Sequence, residues 1–347
     1  MLIRVVLTLT ALYVLAAAAW IVNSGRIPAN QETELLNVSY DPTRELWRDL
    51  NQRFISRYWA DHGISITINQ SHGSSTSQAN AVINGLAADV VTLALRSDTD
   101  AICKAGLIAN GWDNRLPNHS LPYYSTLVFV VRRGNPRNIH DWPDLIKPGV
   151  AIITPDPKLS GNGKLSFLAA WGAVRKGAIP QRGTSEDDAR AFVTELYRHV
   201  PVLKSGARQA TMTFGQENLG DVHLTWENEA HLEVAEAHGA MELIYPSMSI
   251  RAEPYVAWVD TNVQRHGTRA TAEAYLRFLY TEEAQKIIAK HSYRPINEAV
   301  LLEHLDHLPR IDLFEVTAAA PGWDGAQEKF FAKGAIFDQI QNEISRH

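Results

Sequence analysis

The sequence predicts an α/β protein with two lobes, each built on a mixed, mainly parallel sheet with helices on its faces. Three observations carry this reading. The 347 residues exceed what one small core needs, so two domains of ordinary size are expected. Strand-type and helix-type patterns alternate along most of the chain. Asp89 to Leu95 (DVVTLAL) and Thr126 to Val131 (TLVFVV) are largely aliphatic and β-branched, as strands covered on both faces require.

The elements follow in order. Met1 to Arg4 carry one positive charge, and Val5 to Val22 is an uncharged apolar stretch ending in small residues, Ala16 to Ala19, and then Trp20 to Val22. This reads as an export signal with a cut after Ala19. Eighteen such residues also suffice to span a bilayer, so retention as an anchor stands beside cleavage. Residues 1–30 are assigned to this segment and the start of a polar linker. Leu35 to Tyr40 is a short strand. Leu46, Leu50, Phe54 and Tyr58 recur every four residues and predict a helix from Arg44 to Trp59. Ile64, Ile66 and Ile68 alternate with polar residues, as in a half-buried strand.

In the second half, Val150 to Thr154 reads as a strand, and Lys164 to Val174 and Asp187 to His199 as helices. Val222 to Trp226 is a strand that leads into a helix at Glu227. Tyr255 to Val259 is a strand able to cross back to the first lobe. Thr271 to His291 and Gln327 to Ile344 are amphipathic and are each predicted as one helix.

Composition narrows the function. Apolar residues at 45% and charged residues at 20% describe a soluble globular protein. With 33 basic and 38 acidic residues the net charge is −5, which speaks against nucleic-acid binding. A mildly acidic chain can still hold an anion if local dipoles do the holding. Cys103 is the single cysteine, and the 13 histidines are scattered without ligand spacing, so no disulfide, metal or cofactor is expected.

The informative segments are the strand-to-helix junctions, where open α/β sheets bind ligands. Helix amino ends present free N–H groups and a partial positive charge. Five junctions share this chemistry. At Ser39 to Glu45, Asp41 is a natural N-cap, with Pro42 behind it. Gln70 to Ser77 is dense in hydroxyls. Pro157 to Lys164 holds Ser160, Gly161 and Asn162. It fails the phosphate-loop pattern, because Lys158 stands in the first glycine place and Leu165 follows the lysine. Lys204 to Thr211 opens a helix with small residues. At Thr225 to Glu229, Trp226 offers one N–H donor and no acceptor. Glu227 and Glu229 raise the alternative of a glycosidase carboxylate pair. Acidic residues in a first helical turn are common for dipole reasons alone. No nucleophile and base stand together, so binding without chemistry is expected. Hydrogen bonds to a charged partner contribute roughly 1.5–3 kcal/mol each. Several together are needed to offset the desolvation of a divalent anion.

At these junctions the sequence resembles the periplasmic sulfate-binding protein family, which supplies sulfate or thiosulfate to ABC importers. The resemblance lies in LLNVSYDPTRELW, QSHGSSTSQANAVINGLAADVVTLAL, GNPRNIHDWPDLIKPGVAIITPDPK, SGNGKLSFLAAWG, LKSGARQATMTF, LTWENEA and YRPINEAV, and runs from about Leu35 to the carboxyl end. It implies the two-lobed type II periplasmic binding protein fold, which closes over its ligand. It also implies a sulfate or thiosulfate ligand, permease subunits of an ABC importer as partners, a periplasmic location and a monomer. The expected ligand contacts are Asp41 through its backbone N–H, Ser75, Ser160, Gly161, Asn162, Ala207 and Trp226. Ser74 and Asn162 depart from the usual glycines, and Arg208 is expected to support the alanine donor from behind. The lobes are expected at 35–127 with 255–300, and at 128–254. C-terminal helices fill 301–347. If the Asp41 side chain caps its helix, the pocket lacks a proton acceptor and is expected to reject phosphate. A phosphate or molybdate binder, a membrane-tethered oxyanion sensor and an enzyme are the competing readings.

Overall fold

A computed structural model describes residues 33–346. The apolar stretch Val5 to Val22, with the question of its cleavage, lies outside the described residues.

Two mixed sheets organise the chain. The first has the order β10-β3-β1-β2, with β1 (Thr33–Tyr40), β2 (Ile66–Gly73), β3 (Val90–Leu93) and β10 (Tyr255–Trp258). β1 is parallel to β2 and β3, and β10 runs antiparallel to β3. The second has the order β12-β9-β4-β7-β5-β6. Its strands are β4 (Tyr123–Arg132), β5 (Ile152–Pro155), β6 (Leu203–Lys204), β7 (Val222–Trp226), β9 (Met248–Ala252) and β12 (Asp312–Phe314). Here β5 is parallel to β6 and β7, while β4 is antiparallel to β7 and β9. Strands β8 (Met241–Ile244) and β11 (Arg294–Pro295) also pair with β4. The chain therefore passes between the sheets at 94–122, again between β9 and β10, and a third time after β10, since β11 pairs with β4 and β12 with β9.

Apolar alternation explains where each layer sits. The helix α1 (Arg44–His62) buries Leu46, Trp47, Leu50 and Phe54 against Tyr275 and Leu276 on one side of the first sheet. It ends at Gly63, whose φ of +68° suits a residue without a Cβ. The second lobe buries a larger aromatic cluster. Phe337 of the last helix stands 5.9 Å from Phe167 and 5.3 Å from Tyr197, so the carboxyl end packs on the second lobe.

Three elements differ from the sequence reading. β2 begins at Ile66 and runs on to Gly73, because eight residues of β1 pair with it in register, from Thr33↔Ile66 to Tyr40↔Gly73. The stretch 271–291 is two helices, Arg269–Phe278 and Glu282–Lys290. Thr281 caps the second by accepting from the Ala284 N–H. The stretch 327–344 is broken at Gly334, with φ +78°, between a π-helical turn at Gln327–Phe331 and the helix Ile336–Ile344. Amphipathic spacing persisted across both breaks, which is why periodicity alone joined them. No helix among the described residues is long and apolar enough to cross a membrane.

Candidate anion site

Each of the five junctions singled out in the sequence follows the carboxyl end of a strand. β1 ends at Tyr40, and a 3₁₀ turn begins at Asp41. β2 ends at Gly73, and α2 (Ser75–Ile83) begins two residues later. β5 leads to α4 (Gly161–Arg175), and α3 (Arg96–Lys104) lies earlier in the chain, after β3. The helix α5 (Glu186–Arg198) precedes β6, which leads to α6 (Ala207–Gly215), and β7 leads to α7 (Glu227–Glu236). All five face one small cavity between the sheets. Its space for the centre of a water-sized sphere is about 20 Å³, comparable to one such sphere. Asp41, Ser75, Ser160, Gly161, Asn162, Ala207 and Trp226 all line it, together with Tyr40, Pro42, Gly73, Ser74, Ala94 and Gly206.

The amino ends are left open toward this cavity. Tyr40, Ser160, Gly206 and Trp226 occupy the capping positions of their helices, and none of their side chains caps. First-turn N–H groups have no acceptor inside their own helix, so an uncapped end needs an external one. Ser74 is the exception and accepts from the Ser77 N–H. The Ser160 hydroxyl and the Trp226 indole N–H make no hydrogen bond among the described residues, although both residues are buried.

Individual residues qualify the sequence reading. Asp41 does not cap its turn. It sits in the first position, and its carboxylate is 2.6 Å from the Arg44 guanidinium. β1 runs through Tyr40, so Tyr40 takes the capping position and Asp41 becomes the first residue of the turn. Ser75 gives its hydroxyl proton to Asp98 at 2.5 Å, and accepts from the Ala94 N–H at 3.1 Å. That leaves its backbone N–H for a ligand. Asn162 turns its amide away, toward the Leu224 carbonyl at 3.4 Å, and has no positive φ. The glycine this loop requires is Gly163, where a Cβ would lie 2.6 Å from the Pro155 carbonyl oxygen.

Among the described residues, no Lys, Arg or His lines the cavity. The nearby cations are held elsewhere. Lys158 pairs with Asp338 at 2.8 Å, and Lys164 donates to Gln327 at 3.1 Å. Burial pushes the Lys164 ammonium below its ordinary pKa, against the pull of Asp98. Arg208 reaches Glu45 at 3.6 Å rather than the cavity. Of the two glutamates after Trp226, Glu227 is also committed. Both its oxygens accept from Arg294, at 2.7 Å each, and a carboxylate clamped in this way is no free acid or base. Glu229 is buried with Oε1 unpaired, and burial pushes its carboxyl up to about 7.

Sequence reasoning missed Asp98, which accepts from the Ser75 and Thr76 hydroxyls and is itself pushed up by burial. In the sequence it is one more acidic residue in a first helical turn. It also missed Asn228, which donates across the cleft to the Pro42 carbonyl at 3.2 Å.

Two α/β lobes with a donor-lined cavity between them define a solute-binding protein of the type II periplasmic fold. Residues 37–294 match the family described as bacterial extracellular solute-binding protein. The sulfate-binding protein of Escherichia coli K12 is 48% identical over 311 residues, 89% of this chain and 93% of that protein. The thiosulfate-binding protein of Pseudomonas aeruginosa is 45% identical over 90% of this chain and 93% of its own length. The solved sulfate-binding protein SubI of Mycobacterium tuberculosis H37Rv superposes with a TM-score of 0.76 at 30% identity, covering 86% of this chain and all of SubI. The chain belongs to this family of bacterial extracellular solute-binding proteins, in the branch of the sulfate- and thiosulfate-binding proteins.

Proposed function

We propose that this protein is an exported receptor that captures sulfate or thiosulfate, without catalysing a reaction, and delivers it to an ABC-type importer. The observation that carries the reading is a small cavity between the lobes that four uncapped helix amino ends face and that no Lys, Arg or His among the described residues lines. Such a site offers N–H and O–H donors to a small, fully ionised oxyanion, and little to a cation or a sugar. The names of the relatives support the same ligand class. The seven residues Asp41, Ser75, Ser160, Gly161, Asn162, Ala207 and Trp226 are its proposed contacts. The lobes are proposed to divide near 35–127 with 255–300 and 128–254, the first limit falling within β4. The protein acts as a periplasmic monomer, and the importer's permease subunits are its partners.

Calorimetric titration with sulfate, thiosulfate, phosphate and molybdate tests this. Tight binding of sulfate or thiosulfate is expected. Heat from phosphate or molybdate alone, or from none of the four, would overturn it.

A further inference from the structure

The carbonyl of Pro42 sits at the cavity wall, one residue beyond Asp41, and accepts two buried hydrogen bonds. Tyr293 donates its hydroxyl at 2.8 Å. Asn228 donates its side-chain amide at 3.2 Å. The two donors come from different lobes. Tyr293 packs in the apolar cluster of Leu35, Leu46 and Trp47, beside the first sheet. Asn228 stands in the first turn of α7, directly after β7 of the second sheet. Its Oδ1 is buried without a partner, so the bond to Pro42 is the one its side chain makes among the described residues. Two positions earlier on the same turn, the Trp226 ring lies 5.4 Å from Tyr40 of the opposite lobe.

We infer that Asn228 is a positioning residue that latches the closed cleft, by binding the carbonyl next to the Asp41 N–H. The inference rests on the oxyanion-receptor reading above. With the lobes apart, Tyr293 keeps its bond to Pro42 while the Asn228 amide faces water. The Asn228 bond therefore belongs to the closed, liganded state, and its loss acts on release rather than capture. The ion pairs Arg208 to Glu45 at 3.6 Å and Lys104 to Asp324 at 3.1 Å are partly or largely exposed and contribute little, while the buried Arg294–Glu227 pair sits beside β11, which pairs with β4.

Stopped-flow tryptophan fluorescence with sulfate tests the latch on the purified protein. Asn228→Ala removes the donor, and the isosteric Asn228→Asp replaces it with a second acceptor facing a carbonyl. Sulfate dissociation is expected to accelerate about five- to tenfold in Asn228→Ala, the effect of one hydrogen bond, and further in Asn228→Asp. Association should stay within about twofold of wild type, since related variants differ mainly in release. The unfolding midpoint of the unliganded protein should not move in either variant, whereas Tyr293→Phe should lower it. Wild-type dissociation rates in both variants, or a matching loss of unliganded stability, would overturn the latch and leave the receptor reading intact. A wild-type protein that binds neither sulfate nor thiosulfate would overturn both.

Discussion

The Trp226 indole is buried in a wall of apolar side chains, yet its N–H has no partner among the described residues and opens on the cavity. Tryptophan donates and never accepts, so it suits a ligand that carries no proton. Trp226→Phe keeps the ring and removes the donor. It should weaken sulfate binding by about 1–3 kcal/mol, as measured by calorimetry. An unchanged affinity would mean that the indole does not touch the anion. Asp41 refines the argument against phosphate. The expected cap is absent, and Arg44 occupies the carboxylate instead, 2.6 Å away. A protonated oxyanion then meets a carboxylate that already holds a guanidinium on Oδ1. Phosphate at neutral pH should bind about 10–100-fold more weakly than sulfate, the effect of one buried unpaired donor. Equal affinities in a titration would show that the Asp41 carboxylate can leave Arg44.

The amino end of α4 shows how an element is placed to a fraction of an ångström. Gly163 packs so closely on the Pro155–Asp156 backbone that a methyl group has no room. Gly163→Ala should shift the Gly161 and Asn162 amides and destabilise the fold by about 1–3 kcal/mol, with anion affinity falling in parallel. Chemical denaturation and titration of the variant check both, and wild-type values for either would refute the close packing. Most elements at the site were legible in the sequence, because a strand ending in small and hydroxylated residues before an apolar helix is a local signal. The seven proposed contacts came from motif resemblance, which is silent on where the Asn162 side chain goes. Its side chain turns toward Leu224, a neighbour 62 positions away that no local pattern announces. Asp98 and Asn228 were illegible for the same reason. Each looks like a first-turn residue. The partners of Asp98 come from a neighbouring helix of the same lobe, and the partner of Asn228 comes from the other lobe. The helix breaks near Thr281 and Gly334 were hidden because apolar spacing continued across them.

At the scale of the whole molecule, folding buries ionisable groups, and this makes stability depend on pH. Burial raises the Glu229 carboxyl from its ordinary 4.5 to about 7, so between those values the folded protein holds a proton that the unfolded chain does not. Its contribution is complete below about 4.5 and declines by up to about 1.4 kcal/mol per pH unit until pH passes about 7. His231 acts in the opposite sense. Burial lowers it from 6.5 to about 4, so its contribution is complete above 6.5 and is lost as pH falls through about 4. Urea unfolding of Glu229→Gln across pH 4.5 to 8 should show a shallower decline than wild type, and parallel curves would exclude Glu229 as the source. The lack of any Lys, Arg or His around the cavity has a further consequence. Counter-ions weaken attraction between formal charges, and a buried grip made of amide and hydroxyl dipoles gives them no cation to shield. The receptor should keep its hold on the anion from fresh water to brine, so a cell that carries it can scavenge sulfur across wide swings of external salinity.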